Sequence, residues 1–136
     1  MAERWLFKEE PTHYSFPDLV KDGRTVWEGV RNPLAQKHLR SVKKGDLILY
    51  YHTGKEKAVV GIARAASDAY TDPKHKTGKL VVVDVEPVKA LPSPVTLAAI
   101  KAQAKFKAFP LVRLPRLSVM PVEEDIWDAI DSMARG

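Results

Sequence analysis

The residues best equipped for chemistry sit where extended runs end. Trp27-Glu28-Gly29-Val30-Arg31-Asn32 gathers an indole, a guanidinium and an amide where an extended Thr25-Val26-Trp27 hands over to a helix starting at Asn32-Pro33. An indole face stacks a planar ligand, worth about 1–3 kcal/mol per base, and Arg31 and Asn32 carry donors for base edges or phosphate. The same residues also read as structure, with Trp27 as core and Asn32 as a cap; spacing alone does not separate the two. Tyr50-Tyr51-His52 has the same double meaning. Side chains alternate along a strand, so Tyr51 cannot share a face with Tyr50 or His52, and at least one of the three belongs to the core. In Arg116-Leu117-Ser118-Val119-Met120-Pro121, Arg116 and Ser118 suit an anion, or Arg116 is simply solvated. Lys101 and Lys105, four apart after Thr96, can follow a phosphate backbone together with Arg113, or serve only as a wet surface.

Catalytic signals are sparse. There is no Gly-rich phosphate loop, no nucleophile elbow and no His-x-x-x-His pair. His13, His38, His52 and His75 are read as isolated, each without a second His or Glu at ligand spacing, so neither a metal nor a cofactor is expected. The absence of cysteine removes disulfides, thiolate zinc sites and Cys nucleophiles together. A site assembled from distant residues leaves no spacing to read. An enzyme or small-molecule binder for a nucleotide-like ligand therefore stands as the alternative to a non-catalytic binding module, and a protein-interaction surface is a third reading.

Charge sharpens the choice of partner. The 136 residues carry 22 Lys+Arg and 17 Asp+Glu, a net of +5, unevenly spread. From Pro87 to Val122 there is no acid, while Lys89, Lys101, Lys105, Lys107, Arg113 and Arg116 are all basic. Lys21 to Lys57 is a second basic stretch, and Glu123 to Gly136 is acidic. An acidic partner such as nucleic acid fits this pattern. At 45% hydrophobic and 29% charged residues the composition is that of a packed globular domain. No apolar run approaches the roughly 20 residues of a membrane span, and Met1-Ala2-Glu3-Arg4-Trp5 opens without a signal-peptide core. A cytoplasmic protein with no membrane partner is expected, organised as a single domain over 1–136 whose oligomeric state the sequence leaves open.

These residues need elements to hold them. Arg4 to Lys8 reads as a strand, and Ser15-Phe16-Pro17-Asp18 has capping-box spacing for a short helix ended by Gly23. Asn32-Pro33 starts a helix to about Val42, with Asn accepting orphan amide bonds and Pro losing none. Leu47 to His52 and Ala58 to Ala66 form a hairpin, Gly61 marks a bulge or close approach, and Lys79 to Val88 is a third long strand. The helix after Thr96 is expected to set Leu97, Ile100 and Ala104 on one face. Asp72-Pro73 and Lys74-His75-Lys76 read as a polar loop. Glu123-Glu124-Asp125 opens a last helix with Ile126, Ile130 and Met133 buried. Short strands mixed with short helices predict an α+β fold, a small barrel with helices around it.

Taken in order, Trp5-Leu6-Phe7-Lys8-Glu9-Glu10-Pro11, Tyr14-Ser15, Trp27-Glu28-Gly29-Val30-Arg31-Asn32, Gly45-Asp46, Tyr51-His52, Val60-Gly61, Asp72-Pro73 and Arg116-Leu117-Ser118-Val119-Met120-Pro121 resemble the EVE domain. This family lies within the PUA-like superfamily and is related to the YTH readers of methylated RNA. The resemblance implies a twisted, partly closed β-barrel and recognition of DNA or RNA carrying a modified base. By similarity with the YTH aromatic cage, Trp27 holds that base, with Lys8, Ser15, Arg31, Asn32, Tyr51, His52, Arg116 and Ser118 around it. Two positions depart from the family's habit, Glu9 and Thr53, where Ser or Thr and Ser are usual. Thr53 keeps a hydroxyl. Glu9 adds a carboxylate, which either points outward or favours a base edge with donors, such as the cytosine amino group.

Overall fold

A computed structural model describes residues 3–75 and 78–136. Its frame is a curled, seven-stranded mixed sheet in the order β2-β6-β4-β3-β1-β7, with β5 paired to β6 off this path. The strands are β1 (Arg4–Glu9), β2 (Thr25–Trp27), β3 (Leu47–His52), β4 (Ala58–Ala65), β5 (Tyr70–Thr71), β6 (Val81–Thr96) and β7 (Val119–Pro121). β1 runs parallel to β3 and antiparallel to β7, and the other pairs are antiparallel. The short helices α1 (Phe16–Asp22), α2 (Pro33–Arg40), α3 (Leu97–Lys101), α4 (Pro110–Arg113) and α5 (Glu124–Arg135) surround this half-barrel.

Local chemistry explains most starts and stops. Ser15 and Asp18 form the capping box on α1, each side chain bonded to the other's backbone amide, and Gly23 ends the helix in the left-handed region at φ 77°. Asn32 caps α2 through the Ala35 amide, with Pro33 in the first turn. Phe16 lies against Gly61 on β4, where an added Cβ would come within 2.6 Å of the ring. The β3–β4 and β4–β6 registers both shift beside this glycine.

Three expectations need correction. β6 does not stop at Val88 but runs on to Thr96, because the chain loops out over Leu91 to Pro94 before Val95 and Thr96 resume pairing with Val59 and Ala58. Proline has no N–H for the ladder, so Pro92 and Pro94 fit in that excursion. α2 ends at Arg40, and Val42 continues into the core. α3 ends at Lys101, before Ala104, and a separate 3-10 turn covers Ala104–Phe106. Both Ile100 and Phe106 are fully buried, and the break lets the chain drive both inward. Lys101 and Lys105 therefore sit on different elements. The polar loop of Asp72 to His75 is present, while Lys76 lies outside the described residues.

Candidate functional site

Alternation along β1 and β3 sorts the motif residues onto two faces. Phe7 and Tyr50 are register partners, as are Lys8 with Tyr51 and Glu9 with His52. Phe7, Glu9, Tyr50 and His52 therefore share one side of the sheet, and Lys8 and Tyr51 the other. Trp27, at the end of β2, packs on the first side, 5.3 Å from Phe7 and edge-on to Tyr50 at 5.4 Å.

Trp27 is both core and cleft. Its exposure is 5%, yet it lines a cleft of about 220 Å³ with Glu9, His13, Tyr14, Thr25, Val26 and Glu28. That is smaller than the ~300 Å³ at which drug-sized pockets begin, a volume suited to one small planar group. Glu9 rises into the cleft two residues after Phe7. One of its oxygens, Oε1, accepts from the Glu10 amide at 2.9 Å and pairs with His13 Nδ1 at 3.1 Å. Glu28 is held by Lys74, whose Nζ reaches both carboxylate oxygens at 3.2 and 3.1 Å. Tyr14 is anchored at both ends, its hydroxyl donating to Asp22 and its carbonyl accepting from the Tyr50 hydroxyl at 2.6 Å. Burial pushes the Tyr14 and Tyr50 phenols up, so both remain neutral donors at physiological pH.

The other nominated residues separate into groups. His52 is a fastening: its Nε2 accepts from the Phe16 amide at 3.0 Å, so Nδ1 carries the proton and donates to Glu56 at 2.7 Å. Ser15 caps the same helix. On the opposite face, the Lys8 ammonium lies 5.7 Å over the Tyr51 ring and donates to the Pro115 carbonyl, while the Lys8 amide bonds the Ser118 carbonyl. Burial pushes the Lys8 ammonium down and the Tyr51 phenol up. Asn32, Arg113 and Arg116 meet along a more open groove of about 320 Å³ with Leu34, Leu114, Pro115 and Leu117. Arg31 turns instead to His75, 3.4 Å from its Nε2. Lys101 and Lys105 are exposed and line different hollows.

Of the nominated residues, Trp27 alone lines its cleft. Sequence reasoning left Glu9 undecided and, although it named His13, Tyr14, Thr25, Val26 and Glu28 in its motifs and runs, assigned none of them to the site. The signal for Glu9 was available, since a residue two after a core phenylalanine on a strand shares its face. The reading of isolated histidines also fails: Glu9 with His13 and His52 with Glu56 are pairs four apart. Among the described residues no group of three or more His, Cys, Asp or Glu is placed to hold a metal ion. Nor is any described helix long and apolar enough to cross a membrane.

The EVE domain profile matches residues 3–133. This chain belongs to the EVE domain family. The half-barrel of this EVE domain superposes on a Rhodopseudomonas palustris protein solved by NMR with a TM-score of 0.94, at 39% identity over 98% of this chain and 94% of that one. It is also similar to the human THYN1 protein, solved in complex with 5-methylcytosine-containing DNA, with a TM-score of 0.90 at 27% identity over 99% of both chains. In sequence, human thymocyte nuclear protein 1 is 26% identical over 98% of this EVE domain and 74% of its own length.

Proposed function

We propose that this EVE domain is a non-catalytic reader of DNA carrying 5-methylcytosine, holding the modified base flipped out of its strand in the cleft over Trp27. The observation that carries the reading is the likeness, over nearly the whole of both chains, to the human protein solved with 5-methylcytosine-containing DNA. The cleft supports it on chemical grounds. Trp27 supplies an aromatic surface, Tyr14 a ring beside it, and Val26, an exposed valine on the lining, an apolar contact for a methyl group. Flipping a base costs a few kcal/mol, and stacking of about 1–3 kcal/mol with base-edge hydrogen bonds offsets it. Arg113 and Arg116, beside Asn32, and the lysines Lys101 and Lys105 are the candidates to meet flanking phosphates. RNA with a modified base is the neighbouring possibility that the same assay addresses.

The test is fluorescence anisotropy with duplexes that differ only in one 5-methyl group, together with the matching RNA. Tighter binding of the methylated DNA is the expected result, reduced in Trp27→Phe, which keeps a core aromatic but offers a smaller stacking face. Equal affinity for methylated and unmethylated duplexes overturns the reading.

A further inference from the structure

Resting on the reading just given, we infer that Glu9 is the residue that reads the exocyclic amino group of the bound base, so that the cleft takes 5-methylcytosine and rejects thymine. A reader of 5-methylcytosine faces this problem by necessity, because thymine carries the same methyl at the same ring position. Stacking on Trp27 and apolar contact with Val26 serve both bases equally. What differs is the Watson–Crick edge, where cytosine presents an N4 amino donor beside an N3 acceptor and thymine an O4 acceptor beside an N3–H donor. A fixed acceptor opposite the 4-substituent, one that cannot turn into a donor, therefore discriminates between them.

The cleft holds two carboxylates, and their hydrogen bonds decide between them. Glu28 has both oxygens taken by the Lys74 ammonium, which neutralises it. Glu9 uses Oε1 for the Glu10 amide and for His13, and among the described residues Oε2 has no protein hydrogen-bond partner. The Glu9 side chain is also the more sheltered, 23% exposed against 43% for Glu28, so solvent screens it less. Its Oε1 contacts hold the carboxylate in place, which leaves Oε2 as a fixed acceptor. An amino group donates to it; a carbonyl oxygen there meets a like partial charge with its own hydration lost.

A two-by-two set of bases separates this inference from the reading beneath it. Oligonucleotides carry 5-methylcytosine, cytosine, thymine or deoxyuridine opposite an abasic site, so that no base pair has to be broken for any of them. The reader hypothesis predicts that the methylated member of each pair binds more tightly. The Glu9 inference predicts that the two amino bases bind at least about tenfold more tightly than the two oxo bases. In Glu9→Gln, which can still accept from the Glu10 amide and can turn its own NH2 toward O4, the amino-to-oxo ratio is expected to fall to about threefold or less while any methyl preference persists. An unchanged ratio in Glu9→Gln, or no amino preference in the parent protein, overturns the inference even if the methyl preference stands. Loss of the methyl preference alone overturns the reading and leaves Glu9's role measurable. Binding to none of the four overturns both.

Discussion

The backbone amide of Phe16 donates to Nε2 of His52 across 3.0 Å, tying the first turn of α1 to the last residue of β3. The bond fixes the tautomer and lets Nδ1 hold Glu56, so both ring nitrogens are committed within the fold. His52→Ala leaves a buried amide unpaired and is expected to destabilise the protein by about 1–3 kcal/mol in urea denaturation. The folded fraction should keep its preference among methylated and unmethylated duplexes; loss of preference without loss of stability would contradict the fastening role.

Gly61 offers a sharper packing test. A Cβ at this position would lie 2.6 Å from the Phe16 ring, closer than carbon atoms tolerate, so Gly61→Ala forces the ring aside. The expected cost is about 1–3 kcal/mol. Adding Phe16→Leu in the same chain should recover part of it, and strictly additive costs in that double-mutant cycle would show that the clash is not the cause.

Asp46 is the buried hub between β1 and the turn before β3. Its carboxylate accepts from the Trp5 indole at 2.9 Å, the Glu3 amide at 3.0 Å and the Lys43 amide at 2.9 Å. Asp46→Ala strands these donors and should cost about 3 kcal/mol. Asp46→Asn, with one acceptor oxygen left, should cost less, and the order of the two in a thermal melt checks the account.

The Tyr70–Asp84 contact carries a pH signature. The Tyr70 hydroxyl donates to Asp84 at 2.6 Å, which pushes the phenol up to about 12 from 10.0. The same bond, with Arg24 second, holds Asp84 below 3.8. A raised folded-state phenol contributes stability below pH 10.0 that fades as pH climbs toward 12. A depressed carboxylate contributes above 3.8 and fades as pH falls through its folded value. Tyr70→Phe should thus cost about 0.5 kcal/mol, small because the pair is exposed, across the neutral range and progressively less at both extremes. A constant difference at all pH values would rule out this linkage.

Salt tests the proposed phosphate contacts. Each arginine that neutralises a phosphate contributes about 0.9 to the slope of log affinity against log salt. Arg113→Ala and Arg116→Ala should each lower that slope by about this amount without changing base preference. A slope identical to the parent's places the DNA backbone elsewhere.

Elements were legible where a local rule governs them. The Ser15–Asp18 box, the Asn32-Pro33 start and the β3–β4 hairpin each depend on neighbours a few residues away. The extension of β6 past Val88 was hidden because prolines read as a stop, whereas the excursion at Leu91 to Pro94 preserves pairing on both sides. The cleft was legible only in Trp27. Lys8 and Glu9 were named in one motif, yet β-strand alternation sends their side chains to opposite faces. Tyr14 was quoted in a family motif but given no site role, because its position depends on the long-range bond from Tyr50, which no sequence pattern announces.

The placement of β1 between β3 and β7 has a consequence for biosynthesis. During translation, Trp5 to Phe7 leave the ribosome long before their partners Val119 to Pro121 exist. The nascent sheet waits with one edge of β1 unpaired, an edge that invites another chain. A chain truncated before Val119 should therefore self-associate through that edge in sedimentation measurements, and the full chain, with β7 in place, should not.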